Sequence, residues 1–225
     1  AYTDGLQIAQ QEKRAQQVTL LKNNICSLKA KMALTTRKHH NFDFEQTIKR
    51  KLPHFLEKAQ QLIQTAEAEF NATSPTFETD FLWDHSYRVG RIAYQLALQE
   101  GVDPLVPTLA ALLHDAGKFV LGIYHGDQVP EEEHSASIAE TILVEEGLAK
   151  EEVLEVLRAI TALYNDQFTC NHNCRIVHDA DRLDKLGSLG VANFFTKGAL
   201  RGVNLKRAMM NNLSRELTYA QAAPR

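Results

Sequence analysis

Cysteine is scarce in this chain: three residues, Cys26, Cys170 and Cys174, in 225. An odd, sparse set does not make a disulfide framework and suggests a reducing compartment, so a cytoplasmic location is expected. Long apolar runs are missing too. No window approaches the ~18 uncharged apolar residues of a membrane span, which excludes a membrane partner of that kind. The N-terminus, Ala1-Tyr2-Thr3-Asp4, lacks the basic-then-apolar layout of a secretory leader. It also lacks an initiator methionine, which allows for an upstream piece. There is no basic excess: the net charge is −3. That argues against an extended nucleic-acid partner, which needs a broad basic face. It leaves open a small phosphorylated ligand, for which one local basic pocket suffices. Strict apolar–polar alternation, low-complexity tracts and internal repeats are all absent.

What is present is helical periodicity throughout. Val18, Leu21, Ile25, Leu28 and Met32 are spaced 3-4-3-4 and predict an amphipathic helix. Its seam of about two heptads suits packing on the same chain or a homodimer through the N-terminal helices. A second helical stretch is expected from Phe44 to Phe70, capped by Asp43 with Gln46 at the reciprocal position. Pro53 either kinks it or opens a separate helix. Asn71 to Pro75 reads as a linker, dividing an N-terminal helical extension, 1–75, from a main domain, 76–225. Further helices are expected over Phe81–Gln99, after the Asp103-Pro104 cap, from Glu131 to Gly147, and over Lys150–Tyr164. The last three are expected over Ile176–Ser188, Val191–Lys197 and Leu205–Tyr219. The fold class is all-α.

Three short segments carry chemistry. Leu109 to Lys118 reads LAALLHDAGK: an apolar helix ending in His114 and Asp115, then Gly117 and Lys118. Two ionisable groups at the end of a buried helix cost several kcal/mol if unpaired, and a divalent metal bonded to both removes that cost. Adjacent helical residues point ~100° apart, so they grip one ion only near a helix end. In Trp83 to Ala93, His85 shares the stripe of Leu82, Val89, Ile92 and Leu96, with Arg88 one turn along the same side. A His and an Arg on a core-facing stripe suggest a pocket for an anion. In Val177 to Lys185, Ile176, Val177, Ala180 and Leu183 mark the buried side. Asp181 lies at its edge, and Asp184 follows one turn later.

In order, His85, His114-Asp115 and Asp181 strongly resemble the HD-domain superfamily. The run Ala-Asp-Arg-Leu-Asp resembles that family's last ligand motif, which selects Asp181 over Asp179. The match covers Phe81 to Phe195, about half of the chain. The resemblance implies an HD-type helical bundle around a divalent metal (Mn, Fe, Co, Ni, Zn or Mg) held by His85, His114, Asp115 and Asp181. It also implies hydrolysis of phosphate esters on nucleotides or other small phosphorylated molecules. Open coordination positions would take water and a phosphate oxygen, which the metal activates. Lys118 and Arg88 would stabilise phosphate charge, and an acid such as Asp184 or Asp84 would orient the water. His134 sits where some members place a further metal-site histidine. Such members also carry a histidine near the end of the next helix, whereas Ala159 to Asp166 has none; Asp166 is the one substitute there. The Gly-Tyr-Pro motif of the cyclic-dinucleotide branch is absent. So is the Glu-Asp pair that guanosine-tetraphosphate hydrolases carry after their His-Asp.

Plainer alternatives stand beside each assignment. His114 and Asp115 could be a polar helix end bonded to backbone, and His85 a satisfied core histidine. Asp181 could pair with Arg182 or Lys185, Lys118 could serve the helix C-terminus, and His134 could be a surface group. Cys170-Asn-His-Asn-Cys174 resembles a metal knuckle but lacks a second cysteine pair, so a loop with incidental cysteines is expected. The competing function is a non-catalytic module of the same fold that binds a phosphorylated signal.

Overall fold

The structure, a computed structural model, describes residues 40–73, 81–119, 129–164, 169–200 and 202–222. Among these there are nine helices and no strand: α1 (His40–Lys51), α2 (Phe55–Thr73), α3 (Phe81–Gln99), α4 (Leu105–Leu113), α5 (Glu131–Glu145), α6 (Lys150–Thr161), α7 (His172–Asp184), α8 (Gly187–Leu200) and α9 (Leu205–Ala222). The amphipathic seam of Val18, Leu21, Ile25, Leu28 and Met32, and the self-association expected from it, lie outside the described residues. So do Asp166 and the 75/76 division. No helix among the described residues is long and apolar enough to cross a membrane.

The architecture follows from α4. Its sequence, LVPTLAALL, is apolar around its whole circumference, which only a central helix can satisfy. Every residue of α4 except Val106 is buried, and α3, α5, α6 and α7 pack around it. Leu109, Leu112 and Leu113 are fully enclosed, each contributing about 1.5–3 kcal/mol by the area removed from water. Pro107 is tolerated because it falls in the first turn, where its missing N–H costs nothing. Asp103 accepts from the Leu105 N–H at 2.9 Å and so caps the helix start. The tightest approach is at Gly90 of α3, where an added Cβ would lie 2.7 Å from Leu112 Cγ.

Pro53 marks a break between two helices, with Leu52 to His54 between them. The expected Asp43 cap is not there: α1 already runs at His40, so Asp43 lies inside it. Likewise Asn71 to Thr73 continue α2 rather than forming a linker. Phe44, Ile48, Phe55, Ala59 and Ile63 of α1 and α2, with Leu52 between them, belong to the same apolar core as α3 and α4. Phe44 meets Tyr87 and Tyr94 edge-on, at centroid distances of 5.4 and 5.8 Å. A buried carboxylate, Glu67, accepts from the Leu82 N–H at 3.2 Å, placing negative charge at the start of α3.

Two expectations at α7 are corrected. The helix begins at His172, four residues before Ile176, because Asn171 caps it: its Oδ1 accepts from the Cys174 N–H at 2.9 Å. That cap folds the chain so that Cys170 and Cys174 have Cα atoms 5.3 Å apart and are joined by a disulfide. They are therefore not incidental loop cysteines, and no knuckle forms. Alkylation in denaturant without reductant is expected to label one cysteine, and with reductant three. Reduction is expected to lower unfolding stability by about 2 kcal/mol, from the entropy of so short a loop. Three labels without reductant would refute the bridge.

Candidate metal centre

Three helices deliver the site. α3 carries His85 and Arg88. α4 ends at Leu113, and His114 and Asp115 follow in tight turns held by Ala116 N–H to Leu113 O and Lys118 N–H to Asp115 O, both 3.0 Å. α7 carries Asp181 and Asp184 on its inner side. The structure brings His85, His114, Asp115 and Asp181 together, all buried. His85 Nε2 lies 3.3 Å from Asp181 Oδ1 and 3.5 Å from Asp115 Oδ2. His114 Nε2 lies 3.7 Å from Asp181 Oδ1 and 3.5 Å from Asp115 Oδ1.

The outer nitrogens explain what faces inward. His114 Nδ1 lies 2.7 Å from the Ala111 carbonyl, and His85 Nδ1 lies 2.8 Å from Asp184 Oδ2. A carbonyl or carboxylate can only accept, so both Nδ1 atoms carry protons. In the neutral rings both Nε2 atoms then present lone pairs. Those lone pairs confront Asp181 Oδ1, another acceptor. Among the described residues, His114 Nε2 and Asp181 Oδ1 are buried without a hydrogen-bond partner. Acceptors crowded this way need a shared cation, and ligand atoms of His85, His114 and Asp181 lie within 4.8 Å of one another, so the cluster could hold a metal ion. Two imidazoles plus carboxylates form a donor set that suits a divalent metal.

Each carboxylate also has its own cation. Asp184 takes Arg88 Nε at 2.7 Å and Nη2 at 3.1 Å. Asp115 takes Lys118 Nζ at 2.7 Å, and Lys118 also pairs with Glu131 at 3.3 Å. Asp181 takes Lys185 Nζ, and the Tyr164 hydroxyl donates to the same oxygen. Burial pushes the Asp181 carboxyl up, but the Lys185 ammonium beside it outweighs burial and brings it well below the usual carboxylate range. For Asp184, burial is likewise outweighed by His85 and Arg88.

This pairing gives two residues a positioning role beside the action on phosphate and water that the sequence suggests for them. Arg88 forks onto Asp184, and Asp184 onto His85 Nδ1, an arrangement that fixes the imidazole and its tautomer. His134 stands beside the Gly117 turn and is not among the three residues whose ligand atoms converge. Gly117 proves important for contact rather than as a helix stop. An added Cβ would lie 2.6 Å from both Ser135 N and His134 Cβ, and 2.8 Å from Glu131 O, while its own N–H donates to Ser135 Oγ at 2.9 Å. Sequence reading missed Tyr164 as a partner of Asp181. Lys185, four residues on along α7, was within its reach.

Burial lowers the pKa of His114, but Asp115 and Asp181 outweigh burial and leave it above 6.5. Without an ion, its proton adds stability that is fully present below 6.5 and lost as pH rises through the raised value. A metal competes for the same Nε2. Calorimetric titration with Mn²⁺ or Ni²⁺ is therefore expected to show affinity climbing with pH above 6.5, with proton release. Affinity flat with pH would contradict the assignment of His114. Gly117→Ala is expected to cost about 1–3 kcal/mol in denaturant unfolding, because backbone of α5 has to move. A neutral result would mean that α5 gives way freely.

The HD domain family model matches residues 82–186, a span that contains every residue of this cluster. No curated protein matches the chain. Among solved structures, the chain is similar to Bacillus subtilis YpgQ: 24% identity over 76% of this chain and 84% of that one, with a TM-score of 0.55. It is also similar to the same protein in complex with ADP, at 21% identity over 73% and 78% with a TM-score of 0.53. A third is a predicted HD superfamily hydrolase from an uncultured Thermotogales bacterium, at 24% identity over 74% and 91% with a TM-score of 0.50. At such identities the likeness is one of fold. Residues 82–186 thus match the HD domain, and the converging ligand atoms of His85, His114 and Asp181 all lie within that span.

Proposed function

We propose that this protein is a divalent-metal-dependent phosphohydrolase acting on a nucleotide or another small phosphorylated molecule. The observation that carries this reading is the convergence of His85 Nε2, His114 Nε2 and Asp181 Oδ1, with Asp115 beside them. His85, His114, Asp115 and Asp181 would hold the metal. When bound, such an ion polarises a phosphoryl oxygen and acidifies a water.

The remaining chemistry belongs to the chain. Asp184 and Arg88 keep the His85 ring turned with its proton outward. The Ala111 carbonyl does the same for His114. Lys118 sets an ammonium beside Asp115 at the mouth of the site, where it offsets negative charge developing on a phosphate. Burial of the cluster strengthens each of these interactions by lowering the local dielectric. A cytoplasmic setting belongs to the same reading, on the odd cysteine count; the Cys170–Cys174 bridge pulls the other way, toward oxidising surroundings.

Purified protein is expected to carry or take up Mn, Co, Ni or another divalent ion, and to hydrolyse a member of a nucleoside mono-, di- and triphosphate panel. ADP is a natural first ligand because the Bacillus subtilis neighbour was solved with it. Asp115→Ala is expected to lose more metal affinity than the ~10–100-fold typical of an outer partner, and activity with it. Metal-loaded protein inert toward the panel and toward generic phosphoesters, with Asp115→Ala still binding metal, would sink the proposal. Tight nucleotide binding with no product over hours would favour the non-catalytic module instead.

A further inference from the structure

Asp181 is the most enclosed acid of the site, with no exposed surface, and its two oxygens live in different company. Among the described residues, Oδ1 faces His85 Nε2 and His114 Nε2 and has no hydrogen-bond partner. Oδ2 receives the Tyr164 hydroxyl and the Lys185 ammonium, the latter at 2.5 Å. The two donors also hold each other. Lys185 Nζ lies 3.4 Å from the Tyr164 oxygen and 5.6 Å from its ring centroid, and the His178 ring packs on Tyr164 at 5.6 Å. Lys185 reaches Asp181 from one turn along α7, while Tyr164 comes from the segment after α6. Two separate elements thus converge on one oxygen.

An ammonium is an odd neighbour for a cation site, because it repels the cation and makes the carboxylate a poorer base toward it. Its position makes sense if its task is to occupy one oxygen. We propose that Tyr164 and Lys185 are positioning residues that hold Asp181 as a one-oxygen ligand, reserving Oδ2 so that only Oδ1 can reach the ion. A carboxylate with both oxygens free can close on a metal through two bonds and fill a position that water or substrate would use. With Oδ2 held by two donors, that second bond is blocked and the position stays open. This inference rests on the reading of the cluster as a metal site.

The test uses Co²⁺, whose visible absorption reports coordination number, on the full chain. Wild type, Tyr164→Phe, Lys185→Met, the double variant and Lys185→Arg are each titrated with Co²⁺, and folding is checked by circular dichroism. The double variant is expected to show a weaker, shifted visible band, as an added oxygen ligand gives, and a Co²⁺ affinity changed about 10- to 100-fold. Lys185→Arg, which keeps a cationic donor on Oδ2, is expected to restore the wild-type band. A folded double variant with the wild-type band overturns the proposal, whether or not affinity falls, because affinity loss alone is what general loosening of the helix end produces. Should that double variant fail to fold, Tyr164→Phe combined with Lys185→Ala, which likewise removes both donors from Oδ2, carries the same two outcomes. Wild type that binds no Co²⁺ defeats the metal reading itself, a failure visible before any variant is examined.

Discussion

Everything at the centre of this molecule answers to one constraint: three buried carboxylates and two imidazoles have to share one enclosed space. Left to themselves, such groups would cost far more than the few kcal/mol by which a domain is stable. The chain solves this outward first. Each carboxylate keeps a cation at its outer oxygens: Arg88 for Asp184, Lys118 for Asp115 and Lys185 for Asp181. What cannot be solved outward is the inner ring of acceptors, where both Nε2 atoms point at Asp181 Oδ1. The raised pKa of His114 expresses the same demand in proton form.

The fold exists to hold that ring. α4 is apolar on all sides so that it can be surrounded, and being surrounded brings its last residues to the meeting point of α3 and α7. The close contact of Gly90 with Leu112 sets α3 against α4, and that of Gly117 with Ser135 sets α5 against the turn that follows. A side chain at Gly90 would push apart α3 and α4, which present His85 and His114, and one at Gly117 would push α5 from the turn that carries Asp115.

Much of this was readable from the amino acids, because burial leaves a period. His85 falls on the apolar stripe of its helix, and the HDAGK run ends an apolar helix where paired groups are needed. Helices bounded by strong signals, Phe81 to Gln99 or Glu131 to Gly147, are where spacing places them. The failures share a cause as well. The first turn of α7, His172 to Arg175, is too polar to extend an apolar pattern, so neither its Asn171 cap nor the cysteine pairing that the cap creates was visible. Tyr164 reads in the sequence only as the last residue of the Lys150–Tyr164 helix, because its contact with Asp181 crosses from one element to another, which no local period reports. The pairing of Asp184 with Arg88 and with His85 was out of reach for the same reason: the partner in each case sits about a hundred residues away.

The charge pairing of the site has one more consequence. Three acids against three bases leave the pocket close to neutral, with Glu131 adding one negative group at Lys118. A divalent ion would therefore turn a nearly neutral hollow into a strongly electropositive one, and a polyanion arriving there would meet a field that the polypeptide alone does not generate. Linkage then makes the two ligands mutual recruiters: whatever the ion adds to the affinity for a phosphate, the phosphate returns to the affinity for the ion.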